Sequence, residues 1–446
     1  MARLLQWFAA SRYTIPLIFG LSFLLRCVWV LNAHTEGPLR SEIHQVAVSL
    51  ARTGVIADAY RVDHVPTTHV GPIAPVLAGT IYRVFGADSL VSEAILFIVA
   101  TLVLFATMLV LDRAFARLGE SALARRLAIA IFLVVPVDLN METQDFRIRE
   151  GNEATLLLAG VLLAVLALDR APQIRWRSVI GLAALCAFLF LLSPAVAVPA
   201  YAACGVLVLR RFRPRQWPAV AGIAAGFVML FSLPWAIRNH DLLGQWVWSR
   251  GNVGLEMAIG TYPGAVDPVD PGLTFRKRLH QVHPFQSVPA YAEMRAEGGE
   301  LAYSHRLGAL TKAWASRHPA EAAHIWVRHV REFFAPPPWL WSAASRPPLV
   351  DRLRSIHAML ILIVAAAGIG VFLARGRWLY FYPLVMIVTA VIPYIGPQPR
   401  TRYRYTITAL LVFTATAATV RALTALYARL GYAGASAPHD ANAPGP

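Results

Sequence analysis

The sequence is poor in cysteine, in lysine and in acidic residues, and these shortages narrow what the protein can be. Its three cysteines, Cys27, Cys186 and Cys204, all lie in apolar segments, so the sequence indicates neither a disulfide framework nor a cysteine-based zinc site. The H-E-x-x-H, P-loop, G-x-S-x-G and glycine-rich nucleotide motifs are also missing. The enzyme classes built on those motifs are therefore not indicated.

Apolar sequence is abundant instead. The chain has 446 residues, of which 57% are hydrophobic, and its mean hydropathy is +0.53. A helix needs about 20 apolar residues to cross a bilayer, and several runs reach or approach that length. The first run is too long for a signal peptide, so we interpret it as an uncleaved span. The sequence predicts an all-α integral membrane protein, a multi-span helical bundle. The expected spans, about ten, are 14–33, 89–111, 127–140, 153–168, 178–193, 195–209, 217–236, 354–374, 378–396 and 403–427.

Positive charge is carried almost entirely by arginine. Only Lys277 and Lys312 are lysines among 41 basic residues, which outnumber 25 acidic residues and give a formal charge of +16. Many of the arginines sit in short loops between the expected spans, which is typical of the positive-inside rule rather than of nucleic-acid binding. This pattern predicts cytoplasmic N- and C-termini and no nucleic-acid partner. The stretches predicted to lie outside are 34–88, 141–152, 237–353 and 397–402.

The predicted organisation has four parts. An N-terminal membrane bundle covers 1–236 and includes the first outside loop, 34–88. The outside stretch 237–353 predicts a mainly helical cap on the outer membrane surface, and 354–428 supplies the C-terminal spans. Residues 429–446 are small, polar and rich in proline and glycine, so they predict a disordered tail. Helix-like segments of the cap are expected at about 287–296, 300–316 and 319–334.

A short amphipathic segment follows closely on the first apolar run. The stretch RSEIHQVAVSLARTG, Arg40 to Gly54, predicts a helix lying in the membrane interface, with Glu42 at the boundary between lipid and outside water. A carboxylate there can accept a proton from a polar substrate. It can equally be a solvated charge near a helix start, where the helix dipole favours acids. The apolar stripe of this helix consists of Ile43, Val46, Ala47 and Leu50.

The next segment carries a resemblance to a known family. Pro66 to Gly86, PTTHVGPIAPVLAGTIYRVFG, places Pro72 and Pro75 at the start of an apolar helix. This order of features, an acidic residue on a surface helix and then a proline-rich segment, resembles the sequences of the GT-C superfamily of membrane glycosyltransferases. The likeness is closest to the branch that holds aminoarabinose transferases and protein O-mannosyltransferases. Three later segments look like motifs of that branch, in the same order. They are Leu233–Ala265 with its P-W-x-x-R-N exit from a span, Arg317–Phe334 with its H-P start, and the basic Arg400–Phe413.

The resemblance implies an inverting glycosyltransferase of the bacterial cytoplasmic membrane. Such an enzyme takes a sugar from a polyprenyl phosphate and transfers it at the outer face. Glu42 would act as general base on the acceptor, and guanidinium groups would hold the lipid phosphate. We expect these groups to converge on one cavity facing away from the cytosol. The expected phosphate ligands are Arg402, Arg404 and Arg400, followed by Arg238 and Arg250. The structural alternative for these arginines is snorkelling to headgroups, or contact with helix-end carbonyls.

Other polar residues are weaker candidates for the functional site. Substrate-binding candidates are His69, Asp138, Asn252 and Glu256. The charged residues between 142 and 153 are interpreted as a salt-bridged rim. No cofactor and no metal-ligand set is identified, although some GT-C enzymes use a divalent metal. The expected partners are membrane lipids, a polyprenyl-phosphate sugar and an acceptor, which the residues leave open among lipid, glycan and protein.

Two other classes remain compatible with the sequence. A transporter or lipid-sugar flippase would explain the spans, but it would not explain the surface helix or the proline-rich segment, and no internal repeat is visible. A non-catalytic membrane assembly subunit would predict that Glu42 is dispensable. Within the transferases, a ligase or polymerase that moves a whole oligosaccharide also stays open.

Overall fold

The computed structural model describes residues 2–32, 41–341 and 348–430. These residues are helical and form no β-strand, only an isolated bridge between Ala57 and Pro66. Arg40 and the tail from 431 onward lie outside the described residues. The helices are α1 Ala2–Ala10, α2 Thr14–Asn32, α3 Glu42–Thr53, α4 Ile73–Phe85, α5 Leu90–Arg117, α6 Ala122–Val134, α7 Leu139–Thr143, α8 Gly151–Arg170, α9 Trp176–Leu192, α10 Pro194–Arg211, α11 Trp217–Leu243, α12 Val253–Gly260, α13 Pro271–Val282, α14 Val288–Ala296, α15 Glu300–Arg317, α16 Pro319–Phe334, α17 Pro338–Trp341, α18 Pro348–Ala374, α19 Phe381–Thr389 and α20 Thr401–Arg429. Short 3₁₀ turns lie at Asp145–Arg147, Pro214–Gln216, Pro263–Ala265, Trp378–Tyr380 and Ile392–Tyr394.

The predicted class, an all-α multi-span membrane protein, is confirmed. Among the described residues, seven helices are long and apolar enough to cross a membrane, namely α2, α5, α8, α10, α11, α18 and α20. Each of them matches an expected span. The expected spans 178–193 and 378–396 correspond to shorter apolar segments, α9 and the stretch from Trp378 to Tyr394. The expected bounds 127–140 are wrong, because the helix there is α6, which ends at Val134. Pro136 follows closely and favours extended backbone at the residue before it.

Proline also sets the boundary between α9 and α10. Ser193 is extended, with φ −150° and ψ 93°, and Pro194 occupies the first turn of α10. Proline is favoured at that position because its missing N–H has no helical partner to lose. The segment therefore folds as two helices that meet at Ser193, one of the two possibilities that the sequence allows.

The amphipathic segment forms α3 and packs on α4. Ser41 caps α3 by accepting a hydrogen bond from the His44 N–H at 3.3 Å, and Gly54 ends the helix at a φ of 76°. Ile43, Val46 and Ala47 from the predicted apolar stripe are buried. Their face covers α4, where a Cβ added at Gly79 would lie 3.0 Å from the Ala47 carbonyl oxygen. The apolar face thus meets protein, and this contact fixes Glu42 at the first position of α3.

The two ends of the bundle differ in their loops. Loops that carry the predicted cytoplasmic arginines meet at one end, where Glu120 binds Arg377 at 2.6 Å and Arg421 at 2.8 Å. In the stretch 237–353, helices α14, α15 and α16 match the three helix-like segments expected there. The four stretches predicted to lie outside meet at the other end.

Candidate active site

A cavity of about 450 Å³ lies where those four stretches meet. Its polar side carries ionisable residues from segments far apart in the chain. Its apolar side comes from the first turns of α8 and α10 and from the prolines that precede α20. The acidic, basic and histidine residues that line it are Glu42, His69, Arg149, Glu150, Arg250, Glu256, His283 and Arg402. The cavity can therefore hold a ligand with one charged, hydroxyl-bearing part and one apolar part.

Glu42 stands in this cavity beside a cation. Its Oε2 accepts a hydrogen bond from Nη2 of Arg149 at 3.2 Å, and its Oε1 lies 3.7 Å from Nε2 of His283. Burial alone would raise the pKa of Glu42, but Arg149, and after it His69 and His283, lower that pKa to about 2. The carboxylate is therefore charged at neutral pH and is able to accept a proton.

His69 and His283 frame the same carboxylate. Burial lowers the pKa of His69 to about 3 and also lowers the pKa of His283, so both rings are neutral at pH 7. Nδ1 of His69 lies 2.9 Å from the hydroxyl of Tyr60. At neutral pH, Arg149 is thus the charged partner of Glu42, and the histidines act as neutral polar neighbours.

The same three residues could hold a divalent metal. Glu42, His69 and His283 each offer one ligand atom, and these atoms lie within 4.8 Å of one another. A carboxylate and two neutral imidazoles are ligands that Zn²⁺ accepts, in the protonation states that binding requires. The residues fit such an ion, although the sequence did not identify this set, because His283 lies more than 200 residues from Glu42 and His69 in the chain.

Arg402 is the cation of the cavity that forms no close ion pair among the described residues, although the charges of Asp145 and Glu256 favour its protonated form. It sits in the first turn of α20, and its Nη2 donates a hydrogen bond to the Tyr403 hydroxyl at 3.1 Å. Tyr403 stacks on Tyr394, with ring centroids 4.3 Å apart. Within the described residues, no carboxylate lies within 4.0 Å of Arg402. Its guanidinium group is therefore available for an anion.

Arg404 points away from the cavity. Two residues along a helix correspond to a rotation of about 200°, so Arg402 and Arg404 face nearly opposite sides of α20. Arg404 is 3% exposed and donates to the carbonyl oxygens of Phe334 and Ala358, at 3.3 and 3.2 Å, and to the Thr408 hydroxyl at 3.2 Å. These contacts bind α20 to α16 and α18. Arg404 was expected beside the lipid phosphate, but the structure places it apart from Glu42.

Two more of the expected arginines also serve structural contacts. Arg238, near the end of α11, donates to the carbonyl oxygens of Thr67 at 2.9 Å and Ile56 at 2.5 Å, and it does not line the cavity. Arg250 does line the cavity, but its guanidinium group is paired with Glu150. The pKa of Glu150 is lowered because this pairing outweighs burial.

A smaller cavity of about 140 Å³ adjoins the first. Arg402 lines both cavities, whereas Arg400 and Asp138 line the smaller one but not the first, together with Asp145. Burial, and after it the charge of Glu142, raises the pKa of Asp138 to about 7. Asp138 and Arg400 are therefore separated from Glu42, while Arg402 reaches towards both spaces.

The remaining candidates, Asn252 and Glu256, lie at the start of α12 and line the main cavity. The amide Nδ2 of Asn252 donates to Oε1 of Glu256 at 3.2 Å. Sequence reasoning missed His283 and assigned Arg149 and Glu150 to a rim. The density of charge between 142 and 153 was a usable signal, but only the folded chain decides which partner each charge meets.

Comparison with solved structures shows the fold. AglB, an oligosaccharyltransferase from Archaeoglobus fulgidus solved with an inhibitory peptide and a dolichol-phosphate, matches with a TM-score of 0.52 and 13% identity, over 98% of this chain and 53% of that chain. The apo form of an A. fulgidus oligosaccharyltransferase matches with a TM-score of 0.52 and 15% identity, over 97% and 53% of the two chains. This protein thus spans about half the length of those chains.

Other comparisons add less. ArnT from Cupriavidus metallidurans, solved with undecaprenyl phosphate, has a TM-score of 0.37 at 14% identity, over 96% of this chain and 82% of that chain. That TM-score is too low to establish a shared fold. No protein-family model and no curated protein matches the sequence. This chain therefore shares its fold with the archaeal oligosaccharyltransferases.

Proposed function

We propose that this protein is an inverting glycosyltransferase that uses a polyprenyl-phosphate-linked sugar. In this proposal, it transfers the sugar to an acceptor at the outer face of the bacterial cytoplasmic membrane. The observation that carries the proposal is that Glu42 and Arg402 share one cavity, which has an apolar wall. A base, a phosphate ligand and a surface for a lipid chain are the three elements that the reaction needs.

The chemistry of the cavity supports this assignment of roles. An acceptor hydroxyl attacks the anomeric carbon, its proton passes to the Glu42 carboxylate, and the bond from that carbon to the phosphate oxygen breaks. The phosphate leaves with the bonding electrons, so it needs stabilisation of its charge rather than a proton. Arg402 supplies this charge, because a guanidinium group matches phosphate oxygens in geometry.

The proposal differs from the expectation for Arg404. Arg402 remains the phosphate ligand, whereas Arg404 is left out because its donors already bind carbonyl oxygens and a hydroxyl within the bundle. The neighbouring Arg149 keeps Glu42 charged. The fold also suits a lipid donor, since AglB, which shares it, was solved with a dolichol-phosphate.

A transfer assay with purified protein tests the proposal. Undecaprenyl-phosphate sugars would serve as donors, membrane extract as the source of acceptor, and the release of undecaprenyl phosphate as the readout. We expect turnover by the wild type and a loss of about 10²- to 10⁴-fold in Glu42→Gln, since a positioned base contributes that much. Binding of undecaprenyl phosphate should persist in the variant, because Gln keeps the shape of the side chain.

Glu297→Gln is the matched control. This variant carries the same Glu-to-Gln substitution outside the cavity, at a residue that pairs with Arg306 on the cap. Its turnover should equal that of the wild type. Unaltered turnover in Glu42→Gln would refute the role of that carboxylate. Translocation of the lipid across liposomes without sugar transfer would replace the transferase with a flippase.

A further inference from the structure

The charges of the main cavity are unevenly paired. Three glutamates and three arginines line it. Glu42 is paired with Arg149, and Glu150 with Arg250, so four of the six charges are compensated within the protein. Arg402 and Glu256 have no partner of opposite charge within 4.0 Å among the described residues. Once a lipid phosphate occupies Arg402, Glu256 is the carboxylate left facing the rest of the donor.

Glu256 forms a polar unit with Asn252, one helical turn away. The Asn252 amide donates to Oε1 of Glu256 at 3.2 Å. That bond uses one amide N–H and one carboxylate oxygen. The second amide N–H, the amide oxygen and the other carboxylate oxygen remain for a ligand. Adjacent hydroxyl groups of a sugar, which both donate and accept hydrogen bonds, match this set.

The helix at the start of which this pair lies, α12, is packed closely against α15. A Cβ added at Gly254 would overlap the carbonyl oxygen of Ser304 on α15, and one added at Gly251 would overlap Thr68 and Leu301. The Leu255 N–H donates to the Ser304 hydroxyl at 3.3 Å. These close contacts fix the start of α12, and a rigid support is what selective recognition requires.

We propose that Asn252 and Glu256 form the sugar subsite of the cavity and restrict the donor to a sugar that carries no negative charge. The proposal rests on the proposed function. A uronate would place its carboxylate beside Glu256, which forms no close ion pair; the one charge that acts on it from Arg402 would then be taken up by the lipid phosphate. Like charges brought together at an interface reduce affinity strongly and thereby exclude a wrong ligand. An uncharged hexose or pentose meets only hydrogen-bonding groups there.

Binding of three matched lipids to the purified protein tests this subsite. Undecaprenyl-phosphate glucose and undecaprenyl-phosphate glucuronate differ only at C6 of the sugar, and undecaprenyl phosphate has no sugar. We expect the wild type to bind the glucuronate lipid at least about tenfold more weakly than the glucose lipid, because like charges repel. Glu256→Gln should reduce this ratio to below about threefold. It should leave the affinity for undecaprenyl phosphate unchanged, because that lipid does not reach the subsite.

Two further variants complete the experiment. Asn252→Ala should weaken binding of the glucose lipid but not of undecaprenyl phosphate. Glu297→Gln, on the cap, should keep the wild-type ratio. Equal binding of the two sugar lipids by the wild type, or an unchanged ratio in Glu256→Gln, would overturn the subsite and leave the proposed function standing. Failure of all three lipids to bind would instead remove the proposed function on which the subsite rests.

Discussion

The charge of Glu42 depends on the residue beside it. Burial favours the protonated carboxyl, whereas Arg149 favours the carboxylate, and the balance holds the pKa of Glu42 at about 2. His69 is neutral at pH 7, since burial lowers its pKa to about 3, so Arg149 supplies the compensating charge at that pH. A carboxylate with so low a pKa is ionised near neutrality, so its protonation would not limit the proposed reaction at that pH.

Replacing Arg149 should therefore change the pH profile. In Arg149→Gln, burial is no longer opposed by that charge, and the pKa of Glu42 should rise. Because an acid with a raised pKa loses its charge at higher pH, the fall of kcat/KM on the acid side should begin at a higher pH in the variant than in the wild type. The measurement is the pH dependence of kcat/KM, with Arg306→Gln on the cap as control. A profile that superimposes on that of the wild type would contradict this role of Arg149.

Substitution of the two arginines at the start of α20, Arg402 and Arg404, should have different effects. Arg402→Gln should raise the donor KM by about tenfold or more, because a charge-assisted contact to phosphate is lost. Arg404→Gln should leave the donor KM within about twofold, but it should lower the melting temperature, because buried carbonyl oxygens lose their donor. Kinetics and thermal unfolding of the two variants check both statements. A larger effect on KM in Arg404→Gln would restore Arg404 as the phosphate ligand.

At the scale of elements, two short helices at the cavity end of the bundle carry Glu42 and Glu256, and their close packing positions these carboxylates. Helix α3 presents Glu42 because its apolar face is buried on α4. Helix α12 presents Glu256 because Gly254 allows its backbone to approach that of α15. Neither helix is long enough to be stable by itself in water, so tertiary contacts must define them.

A methyl group at Gly254 should therefore disturb the site without touching the cavity. In Gly254→Ala the new Cβ meets the Ser304 carbonyl oxygen, and α12 must move away from α15. Overpacking of this kind costs about 1–3 kcal/mol. We expect a lower melting temperature and reduced turnover. Gly222→Ala, on α11, is the matched control because nothing lies within 4 Å of its added Cβ. Equal stability and turnover in the two variants would show that α12 is not held by this contact.

At the scale of the molecule, the cavity and the basic loops lie at opposite ends of the bundle. Segments from the four stretches predicted to be outside contribute to the cavity, and the loops rich in arginine lie at the other end. The positive-inside rule predicts that the arginine-rich end lies in the cytoplasm. The cavity is then expected to open on the outer side.

Cysteine labelling in intact cells tests this orientation. In a background without the native cysteines, Val269→Cys lies on the fully exposed loop before α13, and Arg215→Cys lies on the exposed loop before α11. A maleimide that does not cross membranes should label Val269→Cys in intact cells. It should label Arg215→Cys only after permeabilisation. The reverse pattern would place the cavity in the cytoplasm and contradict the proposed localisation.

Much of this architecture follows from sequence alone. Long apolar runs determine the seven long spans, since apolar side chains are stable in lipid and a helix satisfies its own backbone. Ser41, Gly54 and Pro194 mark helix ends through local backbone chemistry that needs no distant partner. Glu42 could be predicted as a site residue because a carboxylate on a short amphipathic helix is unusual beside so much apolar sequence.

Only the tertiary structure decided which charges meet. The rotation of α20 turns Arg402 into the cavity and Arg404 out of it, although the two stand in similar sequence surroundings. The pairing of Glu42 with Arg149, and the approach of His283 to Glu42, join segments more than 100 residues apart. Hydropathy and helix caps are local properties, whereas an ion pair depends on how all the helices pack together. For that reason the spans can be predicted from the chain, but the members of the site had to be located in the folded protein.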